Sequence, residues 1–280
     1  MHALIGPNGA GKTTLVRAIS GRLVLDSGSV RVGGRDPLRD AGARAMIGLV
    51  PQSIALYPHL TARENLEVLG RLCGVSGHAL TRAVDEALRW TGLEDRAGER
   101  TATLSGGMRR RLNIAAGTLH GPRLLILDEP TVGVDPVARE RIHALLRELR
   151  DNGLAVLMTT HDLGQVAELA DRVAVILHGQ IRAEGSPEAL IGEAFGGAKE
   201  LIVTLGAAPD ADGRTVLARE QLRAASGERT WEGLLNGGLE HLPGIEARLL
   251  EAGLDVDEIR VREPGLEGAF FRLTGESIDT

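Results

Sequence analysis

The segment from Gly6 to Thr13, GPNGAGKT, has the residue types and the spacing of a loop that binds phosphate groups. Its glycines allow consecutive backbone N–H groups to turn toward phosphate oxygens, and the positive end of a following helix adds to the attraction. We predict that Lys12 reaches the β- and γ-phosphates of a nucleotide and that the Thr13 hydroxyl binds Mg²⁺. Only two of the 32 basic residues are Lys. A compact ammonium therefore stands at this position in a chain that otherwise uses Arg.

A second candidate anion contact lies at residues 104–107, LSGG. Ser105 is a typical helix N-cap, and apolar residues then recur on one face at helical spacing: Met108, Leu112, Ala115 and Leu119. Exposed N–H groups at Ser105 and Gly107 would suit an anion, although an ordinary capped helix fits the same residues. We predict that the three arginines at 109–111 form a solvated helix face rather than a binding patch.

Asp128 and Glu129 follow four apolar residues, 124–127, that predict a buried parallel strand. Two adjacent acids at this point lie at the carboxyl edge of the sheet, where ligands of α/β proteins bind. Asp128 is suited to hold Mg²⁺, and Glu129 is suited to polarise the water that attacks a γ-phosphorus. Simple solvation of a loop is the alternative for these acids, and the phosphate loop at Lys12 makes it the weaker one.

Three single polar residues follow the same pattern of strand and sheet edge. Gln52 ends one predicted strand, Asp135 lies in the turn VGVDP, and His161 ends the strand LAVLMTTH. The neutral amide of Gln52 is suited to contact Mg²⁺ or the attacking water. Taken one at a time, such a Gln is usually a surface residue and such a His a structural hydrogen bonder. Their positions after successive strands of one sheet favour a shared site.

The composition limits the class of protein. A chain of 280 residues is long enough for one large domain and a smaller one. The net charge of −6 counts against a nucleic-acid binder, and we expect no nucleic-acid partner. A single cysteine excludes an internal disulfide. No apolar run approaches the roughly 18–20 residues of a membrane span, so we expect any membrane role to depend on a partner.

Taken together, the motifs resemble the ATP-binding cassette (ABC) ATPases. In the family's order they are the Walker A loop (6–13), the Q-loop (Gln52), the signature (104–108), Walker B (124–129), the D-loop (Asp135) and the switch histidine (His161). The signature ends in Met108, where the commonest family form has Gln. The resemblance implies an α/β fold, a P-loop NTPase core over residues 1–198 with a helical subdomain at about 53–121.

The resemblance also implies cofactors and residue roles. The cofactors are ATP and Mg²⁺, with Thr13, Gln52 and Asp128 around the metal. Glu129 is implied as the general base, and His161 and Gln52 are implied as further catalytic residues. The ATP-binding residues are implied to be Gly6, Asn8, Gly9, Gly11, Lys12, Thr13, Thr14, Ser105, Gly107 and Asp135.

The same resemblance implies partners and a location. Two chains, or this chain and a paired ABC subunit, would pack head to tail, so that Ser105 and Gly107 of one cover the ATP of the other. An integral membrane permease subunit would hold the dimer at the cytoplasmic face of the cell membrane. In the family this contact usually involves the segment just after the Q-loop, which here contains Tyr57.

Residues 199–280 predict a small α+β accessory domain. We expect strands at 199–205 and 257–263, helices at 244–253 and 265–275, and a polar variable stretch between them. The closing PGLEGAFFRLTG resembles the end of bacterial exporter ATPases of the daunorubicin-resistance type, with Gly268 where their pattern has Asp. An exporter of drugs, antibiotics or lipophilic compounds is therefore expected. An importer ATPase subunit and a soluble ABC ATPase acting on nucleic acid or the ribosome remain alternatives.

The start of the chain departs from the family pattern. ABC ATPases usually carry two strands and an aromatic residue that stacks on adenine before Walker A, which here begins at Gly6. From this resemblance we expect that the N-terminus is truncated. We also predict a hairpin at residues 27–37 that lacks its usual sheet partners.

Overall fold

A computed structural model of the chain describes residues 1–225, 227–276 and 278. The chain divides into two compact units, residues 1–187 and 188–276. The sequence predicts the division after residue 198, whereas residues 188–198 belong to the second unit in the structure. Within the described ranges, no helix has both the length and the apolar character that crossing a membrane requires.

The first unit is built on one six-stranded sheet with the order β2-β3-β4-β1-β5-β6. Its strands are β1 (His2–Ile5), β2 (Ile47–Val50), β3 (Leu124–Asp128), β4 (Ala155–Thr160), β5 (Arg172–Leu177) and β6 (Gln180–Gly185). Strands β1 to β5 are parallel, and β6 pairs antiparallel with β5. The central β3 is fully buried from Leu125 to Leu127, as expected for a parallel strand with both faces covered. The predicted strand at 124–127 is confirmed, and its acids lie at the carboxyl edge.

Seven helices of the first unit are described: α1 (Lys12–Ile19), α2 (Ala41–Ala45), α3 (Ala62–Leu72), α4 (Gly77–Thr91), α5 (Gly106–Ala116), α6 (Pro136–Asp151) and α7 (Leu163–Leu169). Helices α3, α4 and α5 form the helical subdomain around their own apolar cluster, in which Leu66, Leu88 and Leu112 are fully buried. A capping box between Thr61 and Glu64 begins α3. The hairpin predicted at residues 27–37 is reduced to one antiparallel pair, in which Val32 and Arg35 exchange backbone hydrogen bonds of 2.8 and 3.1 Å across Gly33 and Gly34.

The second unit contains a four-stranded antiparallel sheet with the order β10-β7-β9-β8. From the end of the first unit onward the elements are α8 (Pro187–Phe195), β7 (Lys199–Leu205), α9 (Ala211–Arg219), β8 (Arg223–Ala224), β9 (Thr230–Leu235), α10 (Leu242–Glu251), β10 (Val256–Arg262) and α11 (Leu266–Thr274). The core alternates along β7, where Leu201, Val203 and Leu205 point into one apolar cluster. The strands and helices predicted at both ends of this unit are confirmed.

The polar stretch between those elements is more ordered than predicted, because it holds α9, β8 and β9. Helix α9 begins at Asp210, whose carboxylate accepts a hydrogen bond from the Gly213 N–H. Leu217 and Gly213 are its buried residues. So short an apolar stripe carries little helical periodicity, which explains why the sequence pattern missed the helix.

Gly268 in α11 lies where no side chain fits. A Cβ atom there would collide with the Glu200 carboxylate and lie 2.8 Å from Cζ of Phe195. Glu200 is buried and accepts a hydrogen bond from Arg262. The carboxylate of Glu200 therefore occupies the space that an Asp at position 268 would need.

We predict that Gly268→Asp destabilises the second unit by about 2–4 kcal/mol, through overpacking and through a second carboxylate beside a buried one. Thermal unfolding followed by circular dichroism measures the effect. Gly265→Asp is the matched control, since Gly265 is the N-cap of the same helix and a Cβ there meets no atom within 4 Å. Equal melting temperatures for the two variants would contradict this explanation of Gly268.

Candidate functional site

The loop between β1 and α1 has the shape of a phosphate cradle. Gly9 and Gly11 adopt left-handed backbone angles, with φ of 78° and 110°, which favour glycine. Gly6 packs so closely on the backbone oxygen of Ile176 that a Cβ would collide with it. Sequence and structure thus agree on why glycines stand at these positions, and the loop is held against β5.

The ammonium of Lys12 lies over this loop. Its Nζ donates hydrogen bonds to the carbonyl oxygens of Gly6, at 2.6 Å, and Pro7, at 3.1 Å. Partial burial lowers the pKa of Lys12, while the nearby Glu129 and Asp128 carboxylates oppose that shift. The Lys12 ammonium therefore lies near both the loop and two carboxylates. It is partly desolvated, which strengthens its attraction for a phosphate group.

Asp128 and Glu129 are fixed by the pairing of β3 with β4. Asp128 is opposite Thr159 in the register, and the Thr159 hydroxyl donates a hydrogen bond to Oδ1 of Asp128. The backbone N–H of Glu129 donates to the carbonyl oxygen of Thr159, at 3.0 Å. Sequence reasoning missed Thr159, because its role depends on which residue of β4 faces Asp128.

Glu129 and His161 form a pair at the mouth of the site. Nδ1 of His161 lies 3.0 Å from Oε1 of Glu129, and the Glu129 side chain is 11% exposed. The second oxygen, Oε2, is buried and has no hydrogen-bond partner among the described residues. Glu129 also has a φ of 48°, a left-handed angle that is uncommon for a residue with a side chain and is typical of functional sites. A buried carboxylate oxygen without a hydrogen-bond partner is uncommon in a folded protein, and it marks Glu129 as a candidate functional group of the cleft.

These groups line one cleft of about 350 Å³. The cleft brings together most of the residues that the sequence singles out: Asn8, Gly9, Gly11, Lys12, Thr13, Thr14, Gln52, Asp128, Glu129 and His161. A hydroxyl, an amide oxygen and a carboxylate from Thr13, Gln52 and Asp128 are the hard oxygen ligands that Mg²⁺ prefers. The donor set therefore fits a magnesium ion.

Ser105, Gly107 and Asp135 do not line this cleft. Ser105 is the N-cap of α5, as predicted, and its side chain accepts a hydrogen bond from the Met108 N–H. Asp135 caps α6 by accepting from the Ala138 N–H, at 2.9 Å. Gly107 packs so closely on Ala138 that a Cβ would collide with it. The N-terminal ends of α5 and α6 thus meet, and both capping residues are exposed.

The prediction that residues 109–111 form a solvated face is wrong. Arg110 is 3% exposed and Arg111 is also buried. Arg111 donates to the carbonyl oxygen of Thr91 at the end of α4. Backbone carbonyl oxygens in the loops after β2 and β3 need hydrogen-bond donors, and the guanidinium of Arg110 in α5 donates to them. A run of three arginines holds no signal that separates buried members from exposed ones.

The sequence profile of the ABC transporter family matches residues 1–132. The chain is 37% identical to the daunorubicin resistance ATP-binding protein DrrA3 of Streptomyces coeruleorubidus, over 99% of this chain and 87% of that protein. It is 39% identical to the Nod factor export ATP-binding protein I of Rhizobium sp. (strain N33), over 99% of this chain and 88% of that protein.

A solved structure shares the fold. The dimeric post-hydrolysis state of the ATP-binding cassette MJ0796, bound to ADP and Pi, superposes with a TM-score of 0.59. Sequence identity is 28%, and the match covers 66% of this chain and 84% of that one. The predicted α/β fold of a P-loop NTPase is confirmed by this likeness.

Proposed function

We propose that this chain, which belongs to the ABC transporter family of ATP-binding proteins and is an ATPase, drives an exporter as one half of a head-to-tail dimer. One observation supports the proposed dimer. The cleft holds the phosphate loop and the Glu129–His161 pair, whereas Ser105 and Gly107 lie outside it. Each chain therefore offers two separate half-sites for phosphate, and a second copy would supply the missing half to each cleft.

In the proposed cycle, the loop N–H groups and Lys12 hold the phosphates of ATP. Thr13, Gln52 and Asp128 would hold Mg²⁺, which neutralises charge on the phosphate oxygens. The Glu129 carboxylate accepts the proton of the attacking water, and His161 orients that carboxylate and contacts the γ-phosphate. ATP closes the dimer and hydrolysis reopens it, which is a motor cycle.

The exporter assignment rests on the relatives. The daunorubicin resistance and Nod factor export proteins cover nearly the whole of this chain, including the second unit. We propose that the transported compound is a drug, an antibiotic or another lipophilic molecule. A separate membrane subunit would select that compound and hold the dimer at the cytoplasmic face of the cell membrane.

Tyr57 is the proposed contact with this membrane subunit. Its backbone is held by buried Asn65, which accepts from the Tyr57 N–H at 2.7 Å, while the Tyr57 side chain is 47% exposed. Its neighbour Leu56 packs on the helical subdomain. We predict that Tyr57→Ala weakens co-purification with the membrane subunit and leaves ATP turnover of the isolated chain unchanged. Unchanged co-purification would remove Tyr57 from the contact.

Light scattering on Glu129→Gln, with and without Mg-ATP, tests the dimer. The substitution blocks hydrolysis and should trap ATP between two chains, so the expected mass doubles when Mg-ATP is added. Glu129→Gln combined with Lys12→Ala is the control, because loss of the ammonium weakens ATP binding, so the double variant should need a roughly 10- to 100-fold higher Mg-ATP concentration to dimerise. A monomer of Glu129→Gln under saturating Mg-ATP would contradict the proposal.

A further inference from the structure

The guanidinium of Arg110 makes five hydrogen bonds to five backbone carbonyls. Nε donates to Pro130 O at 2.7 Å, Nη1 to Pro51 O at 2.8 Å and Gln52 O at 2.9 Å, and Nη2 to Asp128 O at 2.9 Å and Glu129 O at 2.7 Å. A guanidinium has five N–H donors in one plane. Every one of them is used here.

These carbonyls belong to the two loops that carry the chemistry. Two of them lie just after β2, including the carbonyl of Gln52 itself. The other three are those of consecutive residues from Asp128 onward, at and just after the end of β3. Among these three is Glu129, whose left-handed φ of 48° needs support from its surroundings. One side chain thus holds the backbone of two loops that line the cleft.

Arg110 also joins the two half-sites within one chain. It lies in α5, the helix that Ser105 caps, while its hydrogen bonds end on the loops of the cleft. A shift of α5 along its axis would be carried directly to the Glu129 backbone. Arg110 is 3% exposed, and burial lowers the pKa of its guanidinium, while Asp128 and Glu129 favour the charged form.

We propose that Arg110 is a positioning residue for ATP hydrolysis, which sets the Glu129 carboxylate according to the position of the Ser105 end of α5. The inference rests on the proposed function, in which Ser105 contacts the ATP held by the partner copy. Nucleotide at one site then acts through α5 and Arg110 on the general base of the other. The two sites of the dimer are coupled by this side chain.

Arg110→Lys is the test variant, because Lys keeps the charge and offers three donors from a point instead of five from a plane. We expect kcat for ATP hydrolysis to fall by about 10- to 100-fold, since a misplaced base costs rate steeply, with KM within about two-fold of the wild-type value. The Hill coefficient for ATP should fall toward 1. A role in stability alone would change neither the kcat-to-KM split nor the cooperativity.

Arg111→Lys is the matched control. Arg111 is buried in the same helix, and its carbonyl partner is Thr91 in the helical subdomain, away from the cleft. We expect both Arg111→Lys and Arg110→Lys to lower the melting temperature, and Arg111→Lys to leave kcat and the Hill coefficient unchanged. If Arg110→Lys does not fold, Arg110→Gln, which keeps two planar N–H donors, is measured in the same way.

The outcomes separate this inference from the proposed function. If the wild-type chain hydrolyses ATP and the kcat of Arg110→Lys lies within about two-fold of the wild-type value, the role of Arg110 is overturned and the ATPase dimer is left intact. A raised KM at unchanged kcat would also overturn it, because the residue would then act in binding. A wild-type chain without ATP turnover, together with a Glu129→Gln chain that stays monomeric in Mg-ATP, would overturn both.

Discussion

Glu129→Gln should lower kcat for ATP hydrolysis by about 10²- to 10⁴-fold, the usual contribution of a positioned general base. The amide that replaces the carboxylate cannot accept the proton of the attacking water. Glu129 lines the cleft, and its Oε2 has no hydrogen-bond partner among the described residues, so the carboxylate keeps the capacity to accept a proton. Nucleotide binding should be retained, because Lys12 and the loop N–H groups are unchanged. Phosphate release under saturating Mg-ATP measures the rate.

Glu86→Gln is the control for this substitution, since Glu86 is an exposed residue of α4. It makes the same change from acid to amide far along the chain from the cleft residues. We expect wild-type turnover from this variant. Turnover of Glu129→Gln within about ten-fold of the wild-type rate would mean that Glu129 is not the general base.

The second large effect is expected at Lys12. Lys12→Ala should weaken ATP binding by roughly 10- to 100-fold, because a hydrogen bond to a charged group contributes about 1.5–3 kcal/mol. The ammonium already lies over the loop, bonded to the Gly6 and Pro7 carbonyls, so it needs little reorganisation to meet phosphate. Titration with a fluorescent ATP analogue gives the dissociation constant of each variant.

Lys199→Ala is the natural control, because Lys199 is the other lysine of the chain. Its ion pair with Glu263 is exposed and in the second unit, and such pairs contribute little to stability. Its ATP affinity should equal that of the wild-type chain. Equal losses of affinity in the two lysine variants would show that the phosphate contact lies elsewhere.

The residues whose chemistry is local could be predicted from the sequence. The glycines around Lys12, the acids after an apolar strand at 128 and 129, and the N-cap at Ser105 each follow from neighbours in the chain. A parallel sheet brings the carboxyl ends of its strands to one edge, so Gln52 and His161 could be expected at the same cleft.

The contacts that depend on tertiary packing could not be predicted. Thr159 faces Asp128 only because of the register between β3 and β4. Arg110 and Arg111 are buried because α5 packs on loops that are distant in the chain, and the letters RRR are the same for a solvated face. Gly268 is a further case, because the carboxylate of Glu200, which lies on β7, leaves no room for a side chain at position 268.

The central claim is that each ATP site is built from two chains, and a mixing experiment tests it most directly. Lys12→Ala weakens the phosphate loop of its own chain, and Ser105→Asp keeps the N-cap of α5 while placing a negative charge against phosphate. Ser76→Asp, which places the same acid at the N-cap of α4, is the control and should be fully active.

Each of the two variants, assayed alone at an ATP concentration near the wild-type KM, should turn over ATP much more slowly than the wild-type chain. After mixing, a dimer of one Lys12→Ala chain and one Ser105→Asp chain contains one site with an intact phosphate loop and an intact Ser105. We predict that ATP turnover reappears in the mixture at a level well above the sum of the separate activities. A mixture no more active than that sum would contradict a site shared between two chains.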